Sequence, residues 1–66
     1  MKQPIHKIGD KFELDDVVLE ILFVSPTEDS YGEYNYFVKS VNKAAKNDLT
    51  YETIEEFDLI PYKKLS

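Results

Sequence analysis

The chain has 66 residues, no cysteine, and a formal net charge of −5 from 13 acidic and 8 basic residues. It is too short for two domains, and a chain this size buries only about 60% of its unfolded surface. With no cysteine, disulfide staples and Cys-based zinc sites are excluded.

The N-terminal Met1–Lys7 has no apolar stretch of the signal-peptide kind. It reads as an arm, residues 1–6, of a single domain spanning 1–66. Lys7 to Leu14 is predicted to be the first strand, because Phe12 and Leu14 alternate with Lys11 and Glu13. Asp15-Asp16 makes a turn. Val17 to Val24 is the strongest strand. Val17, Leu19, Ile21 and Phe23 are expected on one face, with Val18, Leu22 and Val24 on the other, interrupted by Glu20. Apolar residues on both faces imply a central or covered strand, and a second copy of the chain is one way to cover it. The longest apolar run, Ile21-Leu22-Phe23-Val24, is far too short to span a bilayer, so a cytoplasmic location is expected.

Ser25 to Gly32 is a polar loop. Glu33 to Val41 is the third strand, with Tyr34, Tyr36 and Val38 opposite Phe37 and Val41. Asn42 to Asp48 is a turn with room for one helical turn, and Leu49 to Glu52 is the fourth strand. Thr53-Ile54-Glu55-Glu56 has the form of a capping box. It predicts a short helix from Thr53 to Phe57. Leu59-Ile60, before Pro61, is expected to be a closing strand.

Gly9-Asp10-Lys11-Phe12, Tyr36-Phe37-Val38-Lys39-Ser40-Val41 and the stretch Thr53 to Pro61 together give an all-β pattern. It resembles the SH3-like small β-barrel: four to five strands with one short helical turn before the last. An OB-like barrel is the nearest competitor. The composition is also similar to that of small accessory proteins of phages and mobile elements. The resemblance to SH3 domains that bind proline-rich peptides stops short, because this chain has no tryptophan.

Catalysis is not expected. The serines 25, 30, 40 and 66 have only His6 as a base, no Gly-rich phosphate loop exists, and no deep cleft is available for paired carboxylates. His6 reads as an ordinary surface residue. The loop Thr27–Gly32 fails as a calcium loop, because Thr27 and Val38 occupy positions that need acids. No cofactor or metal is expected.

Tyrosine gives rigid contact area with a polar tip and is enriched at interfaces. Tyr31, Tyr34, Tyr36, Tyr51 and Tyr62 are more than a small core needs. Asp48, Glu52, Glu55, Glu56 and Asp58 cluster late in the chain. A solvated face is the plain explanation of those acids, and a rim facing a basic protein partner is the sharper one. The leading expectation is a non-enzymatic protein-interaction module, an inhibitor or adaptor, using Tyr31, Tyr34, Tyr36, Tyr51, Glu52, Glu55, Glu56 and Asp58. The alternative is weak single-stranded nucleic-acid binding by Lys39, Lys43 and Lys46 beside Tyr36 and Phe37. Every basic residue is lysine, which disfavours that alternative, since arginine is the usual reader of phosphates and bases.

Overall fold

A computed structural model describes residues 3–46 and 48–65. Five antiparallel strands form one sheet: β1 Lys11–Leu14, β2 Val17–Val24, β3 Asn35–Asn42, β4 Asp48–Glu55 and β5 Lys63–Lys64. Their order across the sheet is β4-β3-β2-β1-β5. Two 3-10 turns interrupt the strands, Lys43–Ala45 after β3 and Glu56–Leu59 after β4. The molecule is mainly β, with a helical turn before its last strand, as the alternating pattern predicts. The sheet curls but does not close into a barrel: β4 and β5 remain separate edges. No described helix is long and apolar enough to cross a membrane.

The first strand is shorter than expected. Residues 7–10 form a tight turn in which the Asp10 N–H donates to the Lys7 carbonyl at 3.1 Å. Gly9 has φ +94, a conformation that glycine adopts without steric cost. Gly9 and Asp10 then both bond to Ile21, through Gly9 N–H to Ile21 O and Ile21 N–H to Asp10 O. This is the two-against-one arrangement of a β-bulge, which bends the strand. The two-residue turn at Asp15-Asp16 forms as read, with Asp15 at φ +53.

A second irregularity lies in β2. The register slips between Ile21 and Phe23. Alternation predicts Phe23 on the buried face, but the slip turns it outward, 56% exposed, while Val24 packs against the core. Leu22 is the residue taken up by the slip, so face assignments made by counting in twos fail beyond it.

The fourth strand runs to Glu55, so Thr53 and Ile54 are strand residues and Thr53 caps nothing. The 3-10 turn Glu56–Leu59 begins later than predicted. Its N-cap is Glu55, whose N–H donates to the Asp58 carboxylate at 2.9 Å. Leu59 is a buried residue of this turn rather than of a closing strand, and the closing strand is Lys63–Lys64. The reason is packing: Leu59, 4% exposed, is one of the core residues. The predicted turn from Asn42 to Asp48 holds the 3-10 turn Lys43–Ala45, whose amides at Ala44 and Ala45 donate to the Asn42 side chain. Asn47, the arm residues Met1 and Lys2, and Ser66 lie outside the described residues.

Phe12, Leu19, Ile21, Tyr34, Tyr36, Val38 and Leu59 form the core, with Val17, Val24, Ile54 and Tyr62 packed on it. Each buried aliphatic or aromatic side chain contributes about 1.5–3 kcal/mol of transfer free energy. Among the described residues Asp10 is the buried charge, 5% exposed. Its carboxylate accepts from the Lys7 N–H at 3.1 Å and pairs with Lys64 Nζ at 3.2 Å. Burial disfavours the ionised form, but these partners outweigh it and hold the Asp10 pKa below the usual carboxylate range. Lys64 belongs to β5, so the pair fastens the last strand to the start of the first.

Candidate protein-interaction surfaces

The acidic end of the molecule is built from the loop before β3 and from the chain around the second 3-10 turn. Asp29 organises the loop. Its carboxylate accepts from the Tyr31 N–H at 2.8 Å, the Glu33 N–H at 3.0 Å and the Asn35 side-chain amide at 3.4 Å. Donation from the Glu33 backbone leads in lowering the Asp29 pKa. The Glu55 carboxyl beside it is pushed the other way, first by burial and then by the Asp29 charge.

Tyr36 reaches the same end from inside. Its ring is fully buried, and its hydroxyl donates to Glu56 Oε1 at 2.8 Å. The Ile5 N–H approaches the same carboxylate oxygen at 3.5 Å. The N-terminal arm is thus laid over the core and held to the 3-10 turn. His6 is part of this latch, not an ordinary surface residue. Its ring stands edge-on to Phe12 and Tyr36, with centroids 4.8 and 5.6 Å away. His6 Nδ1 is buried with no hydrogen-bond partner. Burial, then the Lys64 charge, lowers the His6 pKa, against the pull of Asp10 and Glu56.

Holding the arm in this place creates a shallow hollow of about 230 Å³ lined by Ile5, Glu33, Glu56, Phe57 and Ile60. Its apolar members are open to solvent: Ile5 is 71% exposed, Phe57 54% and Ile60 80%. A second cleft, about 300 Å³, lies where a barrel would have closed, lined by Leu19, Glu52, Thr53, Ile54, Asp58 and Tyr62. Burial, then the nearby Glu52 and Asp58, raises the Tyr62 pKa.

The outer face of the sheet carries a separate aromatic row. Phe23 stands opposite Phe37, and Phe37 stacks on Tyr51 with centroids 6.0 Å apart and rings 8° from parallel. Further along the same face Lys39 pairs with Glu20 at 3.3 Å and Lys43 with Glu13 at 2.8 Å. Lys46 is the left-handed residue closing the first 3-10 turn.

The residues singled out from the sequence therefore do not form one surface. Tyr34 and Tyr36 are core residues, 8% and 0% exposed, and present little or no area to a partner. Tyr31, 84% exposed, sits on the loop, and Tyr51 on the outer face. Glu52 and Asp58 share the second cleft, Glu56 borders the hollow, and Glu55 turns toward Asp29. Ile5, Phe57 and Ile60 escaped sequence reasoning as a site, since Ile5 stands alone beside Pro4, Phe57 reads as the end of the predicted helix and Ile60 as part of a closing strand. Among the described residues, no group of three or more His, Cys, Asp or Glu side chains is arranged to hold a metal ion. No family model, curated protein or solved structure matches the chain.

Proposed function

We propose that this chain is a non-enzymatic protein-interaction module, an inhibitor or adaptor, whose acidic end receives a basic and apolar segment of a partner protein. One observation carries the reading. Ile5, Phe57 and Ile60, all more than half exposed, surround a hollow whose polar rim is Glu33 and Glu56. Exposed apolar patches rimmed by charge mark interaction sites more often than bare surface does. The net charge of −5 steers a cationic partner toward this end. The strand order and the 3-10 turn before β5 support the SH3-like likeness. A mobile-element role rests on composition alone, and the lack of cysteine supports a cytoplasmic setting.

The nucleic-acid alternative has weaker support. Lys39 and Lys43 are each engaged by a glutamate, so a phosphate would have to displace a carboxylate first.

The test is a panel of synthetic peptides with Arg or Lys flanking Leu, Phe or Trp, titrated against the chain at low and moderate salt. Binding that weakens with salt, and is lost on Phe57→Ser with Ile60→Ser, is expected. Glu33→Gln with Glu56→Gln should slow association and flatten its salt dependence. Peptide binding indifferent to all four changes would refute this site.

A further inference from the structure

β4 is bonded to β3 on one side and forms an edge of the sheet on the other. Long edge strands are ordinarily blunted by a bulge, a proline, charged side chains or a covering segment. Among the described residues, β4 carries only the charges of Asp48, Glu52 and Glu55. Its register with β3 is unbroken from Asn42 opposite Asp48 to Asn35 opposite Glu55. Its sequence, Asp-Leu-Thr-Tyr-Glu-Thr-Ile-Glu, holds neither proline nor lysine, and residues 48–53 are all exposed. Thr50, Tyr51 and Thr53 are good strand formers, as is Ile54 beyond them.

The acidic residues of β4 decide what can add to it. Consider a second copy related by a two-fold axis normal to the sheet. Such an axis keeps outward side chains beside outward ones, so only even with even and odd with odd numbers stand opposite. Centring the pair on Thr50 sets Asp48 against Glu52, and centring it on Glu52 sets that residue against itself. Like charges directly opposite are destabilising. Centring on Thr53 avoids this but pairs only residues 51–55. Centring on Tyr51 pairs residues 48–54 and opposes no two charges: Asp48 meets Ile54, Leu49 meets Thr53, and Thr50 meets Glu52. It also brings the Phe37–Tyr51 stack of each copy to the two-fold axis, continuing the aromatic row across the junction.

We propose that β4 pairs with β4 of a second copy of this chain, antiparallel and centred on Tyr51, to form one continuous sheet. Glu52 lies diagonal to Glu52 and Asp48 of the copy. That residual repulsion leaves the association sensitive to salt. The junction is distinct from the acidic hollow and does not rest on the function assigned to it.

Sedimentation of the full chain should show a concentration-dependent dimer. Tyr51→Lys, which puts two ammonium groups at the axis, should raise the dissociation constant at least about tenfold. Glu52→Gln should lower it several-fold at low salt and little at high salt. Register is read by disulfides, because the chain has no cysteine of its own. Tyr51→Cys should oxidise to a linked dimer. Leu49→Cys and Thr53→Cys should link only when mixed, and Tyr31→Cys on the loop should stay unlinked. All four positions are exposed, so each variant is expected to keep the circular dichroism spectrum of the parent. A monomer at several hundred micromolar, or a dimer in which residue 51 does not link, overturns the proposal. So does Leu49→Cys linking to itself as readily as to Thr53→Cys.

Discussion

The Glu56 carboxylate joins the core to the 3-10 turn through the 2.8 Å bond from the Tyr36 hydroxyl, and accepts from the arm through the Ile5 N–H. Tyr36→Phe keeps the buried ring and deletes the donor, so a loss of about 1–2 kcal/mol is expected, read as a lower urea midpoint at unchanged m-value. His6 and the carboxyls whose pKa is lowered, Asp10 among them, set the response to acid. His6 has a lowered pKa in the fold. Its contribution is therefore present above its unfolded pKa of about 6.5 and is lost as pH falls below that value toward the folded pKa. Asp10 is also lowered. Its contribution is present above the unfolded value of about 3.9 and is lost at lower pH, as the folded carboxylate takes up a proton. Stability measured against pH should thus decline in two stages. His6→Phe should remove the upper stage and Asp10→Asn should shrink the lower one, which the lowered Asp29 and Glu13 carboxyls share; a single stage untouched by either change would contradict this assignment.

At the scale of elements, the second 3-10 turn is governed by Asp58 and not by Thr53. Asp58→Ala should cost about 1 kcal/mol through the lost bond from the Glu55 N–H, while Thr53→Ala, at an exposed strand position, should cost clearly less. Thermal midpoints of the two variants decide between them. The sequence Thr-Ile-Glu-Glu has the form of a cap, but local form is outweighed here by pairing: Thr53 stands opposite Phe37 and Ile54 opposite Tyr36, and both stay in the ladder. The same competition explains what was legible elsewhere. Val17–Val24 declares itself because β-branched residues and burial agree. The face of Phe23 does not, because a register slip leaves no mark in a hydrophobic pattern. Lys63–Lys64 forms a strand through the hold of Lys64 on Asp10 and the register with Phe12 and Glu13, information that lies some fifty residues away in the chain.

Taken as a whole, the molecule separates its charges. Acids collect around the second 3-10 turn and the loop at Asp29, while Lys39 and Lys43 lie on the outer face and are matched by Glu20 and Glu13. The acidic set was readable from the sequence as a cluster; its division among a hollow, a cleft and a loop was not, because the curl of the sheet decides it. The tyrosines show the same limit. Ring count suggested surplus area for partners, yet Tyr34 and Tyr36 are consumed by a core short of large residues. At this scale Ile21→Ala, at a fully buried site in the middle of the sheet, should cost about 2–5 kcal/mol. Against the 5–15 kcal/mol typical of native proteins, that removes a large share of the stability and should appear as a clearly lower urea midpoint. A variant as stable as the parent would mean the core lies elsewhere.

The burial of Tyr36 also makes the protein a reporter on itself. With no tryptophan, its near-ultraviolet absorbance comes chiefly from five phenols. Burial, then the bond to Glu56, pushes the Tyr36 pKa far above the ordinary value near 10, and Tyr62 is raised as well. An alkaline titration followed at the phenolate band should therefore show these two rings ionising late. Tyr36 should ionise only as the chain unfolds, since a group whose folded pKa is raised stabilises the fold below its unfolded pKa and ceases to do so as pH climbs. The last phenolate to appear then marks loss of the core without any label.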